Sequence, residues 1–190
     1  MKLKYMGKYD LNPDSLPHNE HKPNAVAFKE AKDTKTLGII ANIVAFFILI
    51  VLVALLIWRC SFTVLMHLFL GSLLSLLILF PHELLHAVCF KKEVYLYTNL
   101  SQGMLFVVGP EDMSKSRFIF MSLLPNIVFG FIPYIIALIN PSLGFLGCFG
   151  AVCISMGAGD YYNVFNALTQ MPKGARTYLY KFNSFWYIPE

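Results

Sequence analysis

The sequence predicts an all-α integral membrane protein: four transmembrane helices, with one small cytosolic β-hairpin between the second and the third. Three observations predict it. Hydrophobic residues make up 57% of the 190 residues and charged residues only 14%, too apolar a balance for a soluble domain of this length. Four segments, residues 37–58, 62–80, 118–139 and 142–159, carry no charge over close to the ~20 residues that a helix needs to cross a bilayer. Lys and Arg fall almost wholly to one side of those segments.

In chain order, residues 1–36 are a polar N-terminal segment of mixed charge, broken at Asn12-Pro13 and Lys22-Pro23-Asn24. A cleaved signal peptide would carry its apolar region much nearer the start, so residues 37–58 read as a retained first span. The second span, 62–80, continues to about residue 90, and the fourth continues through Asp160 to about residue 168, so the membrane domain covers 37–168. The turns between the first two spans and at Asn140-Pro141 are very short, which predicts two antiparallel helical hairpins. Between Lys91 and Arg117 lie two strand-like runs, 93–98 and 104–108, separated by Asn99-Leu100-Ser101-Gln102-Gly103 and closed by Gly109-Pro110. That pattern predicts the β-hairpin, either as a cap on the bundle or as an edge strand that holds an extended peptide. Residues 169–190 form an interfacial or cytosolic tail, where Tyr178, Tyr180, Phe182, Phe185, Trp186 and Tyr187 stand with Arg176 and Lys181. Aromatic and basic residues together favour the headgroup region.

Charge gives the orientation. Seven Lys/Arg precede Leu37, four lie between Lys91 and Arg117, three follow Gln170, and Arg59 is the remaining one. An even number of spans puts both termini and the 91–117 connection on one side, and the positive-inside rule makes that side the cytosol, in the plasma membrane. The net charge of +4 follows from this bias and gives no reason to expect nucleic acid as a partner. Cys60, Cys89, Cys148 and Cys153 form no Cys-x-x-Cys pair, and no disulfide framework is expected.

The chemistry concentrates at His82-Glu83-Leu84-Leu85-His86, at the end of the second span. On a helix, residues i and i+4 share a face, so both imidazoles can be offered to one metal ion. Glu83, beside the first ligand, is placed to take a proton from an attacking water. Ionisable groups at bilayer depth pair, bind ions or do chemistry. The plainer alternative is an interfacial patch just outside the span, which Pro81 favours because proline can open a new helix.

A catalytic zinc site needs a third protein ligand. Asp160, in Gly157-Ala158-Gly159-Asp160-Tyr161-Tyr162-Asn163, ends a long uncharged run and has no cationic partner nearby in sequence. Depth supports it: His82 lies 20 residues after Phe62 and Asp160 lies 18 after Ser142, so both sit about 27–30 Å from the outer surface. Gly157 and Gly159 suit close helix approach. Asn163, one turn beyond Asp160, is either its hydrogen-bond partner or a helix contact. Asn126, after Pro125 in the third span, reaches nearly the same level. It either steadies a substrate backbone or oxyanion, or bonds between helices. His67, nearer the outer surface, reads as structural, and Cys89 is a weaker ligand candidate.

His82-Glu83-Leu84-Leu85-His86-Ala87, the following hairpin, Leu124-Pro125-Asn126 and Gly159-Asp160 together resemble the family of putative zincin peptidases. In logic these are similar to the site-2 protease-like intramembrane zinc metalloproteases. The resemblance runs from about residue 24 to residue 168, and its specific part is the two metal motifs. It implies Zn2+ held by His82, His86 and Asp160, with Glu83 as general base. It differs from the site-2 pattern, an Asn-Pro…Asp-Gly setting, because Tyr161 follows Asp160 while Pro125 and Asn126 lie on the previous span. The expected function is a membrane-embedded zinc metallopeptidase that hydrolyses a peptide bond near the cytosolic membrane face. Its expected partners are the lipid bilayer and a peptide or membrane-protein substrate. The rival reading is a non-catalytic membrane protein that uses the metal structurally or serves as a regulatory binding partner.

Overall fold

The computed structural model of the chain describes residues 1–181 and 183–189; Phe182, counted above among the tail aromatics, lies outside them. The chain divides into two compact units. One collects Met1–Thr34, Glu83–Ser122 and Asn163–Glu190, and the other Lys35–His82 and Leu123–Tyr162.

The apolar unit is helical. Helix α1 (Thr34–Cys60) and helix α2 (Leu65–Ala87) follow one another through the single turn Phe62–Val64. Helix α3 (Lys115–Pro125) passes through a π-helical stretch, Asn126–Phe131, into helix α4 (Ile132–Ile139), and helices α5 (Gly144–Met156) and α6 (Ala158–Gln170) follow; α2 from Glu83, α3 up to Ser122 and α6 from Asn163 count to the other unit. Leu56, Val64, Tyr134, Cys148, Ala151 and Ile154 form its core. Gly150 lets α4 and α5 close up, since a Cβ there would lie 2.7 Å from the Tyr134 backbone nitrogen. Phe46, Val51, Trp58 and Leu77 stay exposed along α1 and α2, an arrangement costly in water but natural against lipid.

The second unit overturns the all-α expectation. Strands β3 (Glu93–Asn99) and β4 (Met104–Val108) form the expected antiparallel hairpin, with Leu96 opposite Val107. They are not alone, because strand β1 (Lys2–Lys8) adds in parallel to β3 and gives a three-stranded sheet of order β1-β3-β4. A four-stranded sheet has the order β2-β7-β6-β5, from β2 (Val26–Ala27), β7 (Asn183–Tyr187), β6 (Arg176–Tyr180) and β5 (Met113–Ser114). The alternation in Lys2-Leu3-Lys4-Tyr5 and in Arg176-Thr177-Tyr178-Leu179-Tyr180 is strand-like on its own. Strand β6 pairs with β7, next to it in sequence, but β1 pairs with β3 and β2 with β7, partners far away in sequence that local pattern cannot reveal. The tail aromatics pack on one another and on the N-terminal segment, with the Tyr178 and Phe185 rings stacked 6.0 Å apart and His21 4.7 Å from Phe185.

The expectation of four spans is also corrected. Among the described residues three helical runs are long and apolar enough to cross a membrane: Thr34–Cys60, Phe62–Ala87 and Lys115–Ile139. The expected fourth is broken into Pro141–Met156 and Ala158–Gln170, bent by 52°. The break falls at Gly157, where a Cβ would lie 1.8 Å from Asn126 Oδ1. The close approach of Asn126 is possible because that position has no side chain. Helix α2, by contrast, runs unbroken through Pro81, so His82, Glu83 and His86 belong to the same helix as the apolar span.

Candidate metal centre

The last two turns of α2 present His82, Glu83 and His86, whose ligand atoms all lie within 4.8 Å of one another. His86 is buried, at 8% exposure, and the other two are half-buried. Its orientation follows from a proline. Pro125 has no N–H, so the Met121 carbonyl, four residues earlier on α3, lacks its usual helical donor. His86 Nδ1 lies 2.9 Å from that carbonyl oxygen. A carbonyl only accepts, so Nδ1 carries the proton and the lone pair resides on Nε2, the tautomer that a metal ligand requires.

Asp160, in the first turn of α6, comes to His82: its Oδ2 lies 3.3 Å from His82 Nε2. The same oxygen accepts a 2.7 Å hydrogen bond from Asn126 Nδ2. Asn126 is 1% exposed and sits at the start of the π-helical stretch, in the slot left by Gly157. The donor spacing fits zinc. Two donors bound to one tetrahedral ion at about 2.0–2.1 Å lie about 3.3 Å apart, as His82 Nε2 and Asp160 Oδ2 do. The donor types fit as well, imidazole nitrogen and carboxylate oxygen.

Glu83 also reaches a strand, its Oε2 accepting a 3.0 Å hydrogen bond from the Val107 N–H. Val107 lies on β4, one of the two edge strands of its sheet. Of the residues singled out from sequence, the structure therefore joins His82 with Asp160 and Asp160 with Asn126, and groups Glu83 with both histidines. Asn163, on α6, makes no hydrogen bond among the described residues to the site groups. Cys89 Sγ donates to the Leu85 carbonyl at 3.5 Å, and the His67 ring lies 6.4 Å from that of Phe145. The sequence reading missed the Met121 carbonyl and the Val107 amide. The first had a legible signal, a carbonyl four residues before a proline inside a helix.

Three membrane-length helices and a His-Glu-His group that could hold a metal ion define the class, a membrane protein with a candidate metal site. The chain belongs to the family described as "Putative zincin peptidase", whose model matches residues 75–176, more than half of its length. His82, Glu83, His86, Asn126 and Asp160 all fall inside that match. No curated protein and no solved structure matches the chain.

Proposed function

We propose that the chain is a membrane-embedded zinc metallopeptidase acting near the cytosolic face. The carrying observation is the 3.3 Å separation of His82 Nε2 and Asp160 Oδ2, on a helix that also offers His86 one turn on. His82, His86 and Asp160 would hold the ion. Zinc supplies a Lewis acid that polarises a carbonyl and makes water acidic enough to attack near neutral pH. Glu83 accepts the proton of the attacking water and returns it to the departing amine. The Met121 carbonyl fixes the His86 ring and Asn126 fixes the Asp160 carboxylate, so neither ligand must reorganise when the ion enters.

The substrate is an extended peptide. Strand β4 has no strand paired on its outer edge among the described residues, and its Val107 N–H donates to the Glu83 carboxylate. A peptide strand added there would run its backbone past Glu83. Both termini and the 83–122 connection belong to one unit, which supports a common side of the bilayer for all three. That unit carries most of the Lys and Arg, which favours the cytosolic side of the plasma membrane.

The test is metal content beside cleavage, on the full-length protein in detergent and then in proteoliposomes presented with a peptide library. Wild type should carry about one zinc ion per chain. Glu83→Gln should keep the zinc and lose cleavage; a metal with a purely structural role would leave both unchanged. Zinc retained at unchanged affinity in Asp160→Ala would remove Asp160 from the ligand set.

A further inference from the structure

A cavity of about 390 Å³ opens in the sheet-bearing unit, with Lys91, Lys92, Glu111, Asp112, Arg117 and Arg176 in its wall and none of the metal-binding residues lining it. Four cations face two carboxylates, a surplus of two positive charges. Most of these charges are already engaged. Glu111 pairs with Arg117 and accepts the backbone N–H groups of Lys91 and Lys92 at 2.7 and 3.1 Å. Burial works against the Glu111 carboxylate, but the guanidinium and the two amides outweigh it and hold its pKa below the ordinary value. Arg117 Nε also donates to the Cys89 carbonyl at 2.9 Å, and Arg176 donates to the Asp112 carbonyl at 2.8 Å. Asp112 accepts from the Tyr187 hydroxyl at 2.6 Å and lies 3.4 Å from Lys22 Nζ.

Lys91 and Lys92 differ from the rest. Both are exposed, and neither ammonium group has an ion-pair or hydrogen-bond partner among the described residues. Their backbones are pinned by Glu111, so two uncompensated charges are held at one wall of the cavity. Their position is an independent observation. They follow closely on Ala87, where α2 ends, and Arg117 stands in the first turn of α3. Both helices belong to membrane-length runs, Phe62–Ala87 and Lys115–Ile139. The cavity therefore lies where two spans leave the hydrocarbon, the level of lipid phosphates.

We propose that this cavity binds the phosphate of an anionic phospholipid headgroup, which Lys91 and Lys92 contact while the Arg117–Glu111 pair forms its floor. Its volume is at the lower end of the range for small-ligand sites, about 300–1,000 Å³, enough for a phosphate with a small substituent. A zwitterionic headgroup brings its own cation to a wall with surplus positive charge and is disfavoured. The proposal does not depend on the metal or on peptidase activity.

Native mass spectrometry of the full-length protein in neutral detergent tests it, with phosphatidylglycerol and phosphatidylcholine added at equal concentration. Wild type should retain phosphatidylglycerol preferentially. Each lysine at an anionic surface is worth about fivefold in binding, so Lys91→Ala with Lys92→Ala should reduce retention by about twenty-five-fold. Lys91→Arg with Lys92→Arg should keep it, and Lys173→Ala, a basic site outside the cavity, should not change it. Equal retention of the two lipids by wild type overturns the proposal however the variants behave. So does unchanged retention in the Ala double variant. Displacement of the lipid by glycerol 3-phosphate at the same concentration would give the cavity to a soluble phosphate ester and overturn the lipid assignment.

Discussion

Two residues that touch no substrate set the geometry of the candidate centre. Pro125 removes one N–H from a helix, and the carbonyl thereby released at Met121 orients His86. Restoring the donor with Pro125→Ala should let the Met121 carbonyl return to its helical bond and leave His86 less firmly held. Loss of such an outer partner lowers metal affinity by about 10–100-fold, so zinc affinity measured by chelator competition should fall within that range. Unchanged affinity would show that the Met121 contact does not orient His86. Gly157 acts similarly: by presenting no Cβ, it admits Asn126 to within 2.7 Å of Asp160. Residue types alone suggested a polar role for Asn126. Its role as the donor that fixes Asp160 depends on where two helices meet, which spacing along one chain does not specify.

At the scale of elements, the connection between α2 and α3 is held by a partly buried ion pair. Glu111 is 8% exposed and Arg117 21% at their side chains, and Arg117 ties this loop back to the end of α2 through the Cys89 carbonyl. Removing one partner strands the other, so Arg117→Ala should cost about 3 kcal/mol in unfolding. The pH dependence has a definite sign. The pKa of Glu111 is depressed below its ordinary value of 4.5, so its contribution is fully present above that value and is lost as pH falls through the depressed folded pKa. Thermal unfolding from about pH 6 down to about pH 3 should show wild type losing stability below about pH 4.5, with a shallower slope in Glu111→Gln. Equal slopes would mean that this carboxylate is not what links the loop to pH. The hairpin β3–β4 was legible because its strands are adjacent and a turn sequence separates them. The parallel addition of β1 was not, because its partner lies about ninety residues away.

On the scale of the whole molecule, the sheets join distant parts of the chain. Since β1 pairs with β3, and β2 with β7, the two termini and the middle connection are bound into one unit. The proposed orientation sets all three at the cytosolic face. Cysteine reporters check this in intact cells, with Cys60 and Cys89 replaced by Ala. A membrane-impermeant maleimide applied outside should label Ser61→Cys, at the end of α1, and spare Ser101→Cys, between β3 and β4; both positions are exposed. Labelling of both from outside would rule out the proposed orientation. By itself the sequence determined the membrane class, the direction of charge bias and the His82-Glu83-His86 group, because hydropathy and helical spacing are local properties that neighbouring residues fix. The tertiary structure alone decided that the chain is not all-α, that its last apolar stretch is broken, and that Asn126 and Asp160 meet beside His82. Those outcomes rest on contacts between distant segments, where a missing side chain at Gly157, a missing amide at Pro125 or an unpaired strand edge acquires its effect only from what packs against it.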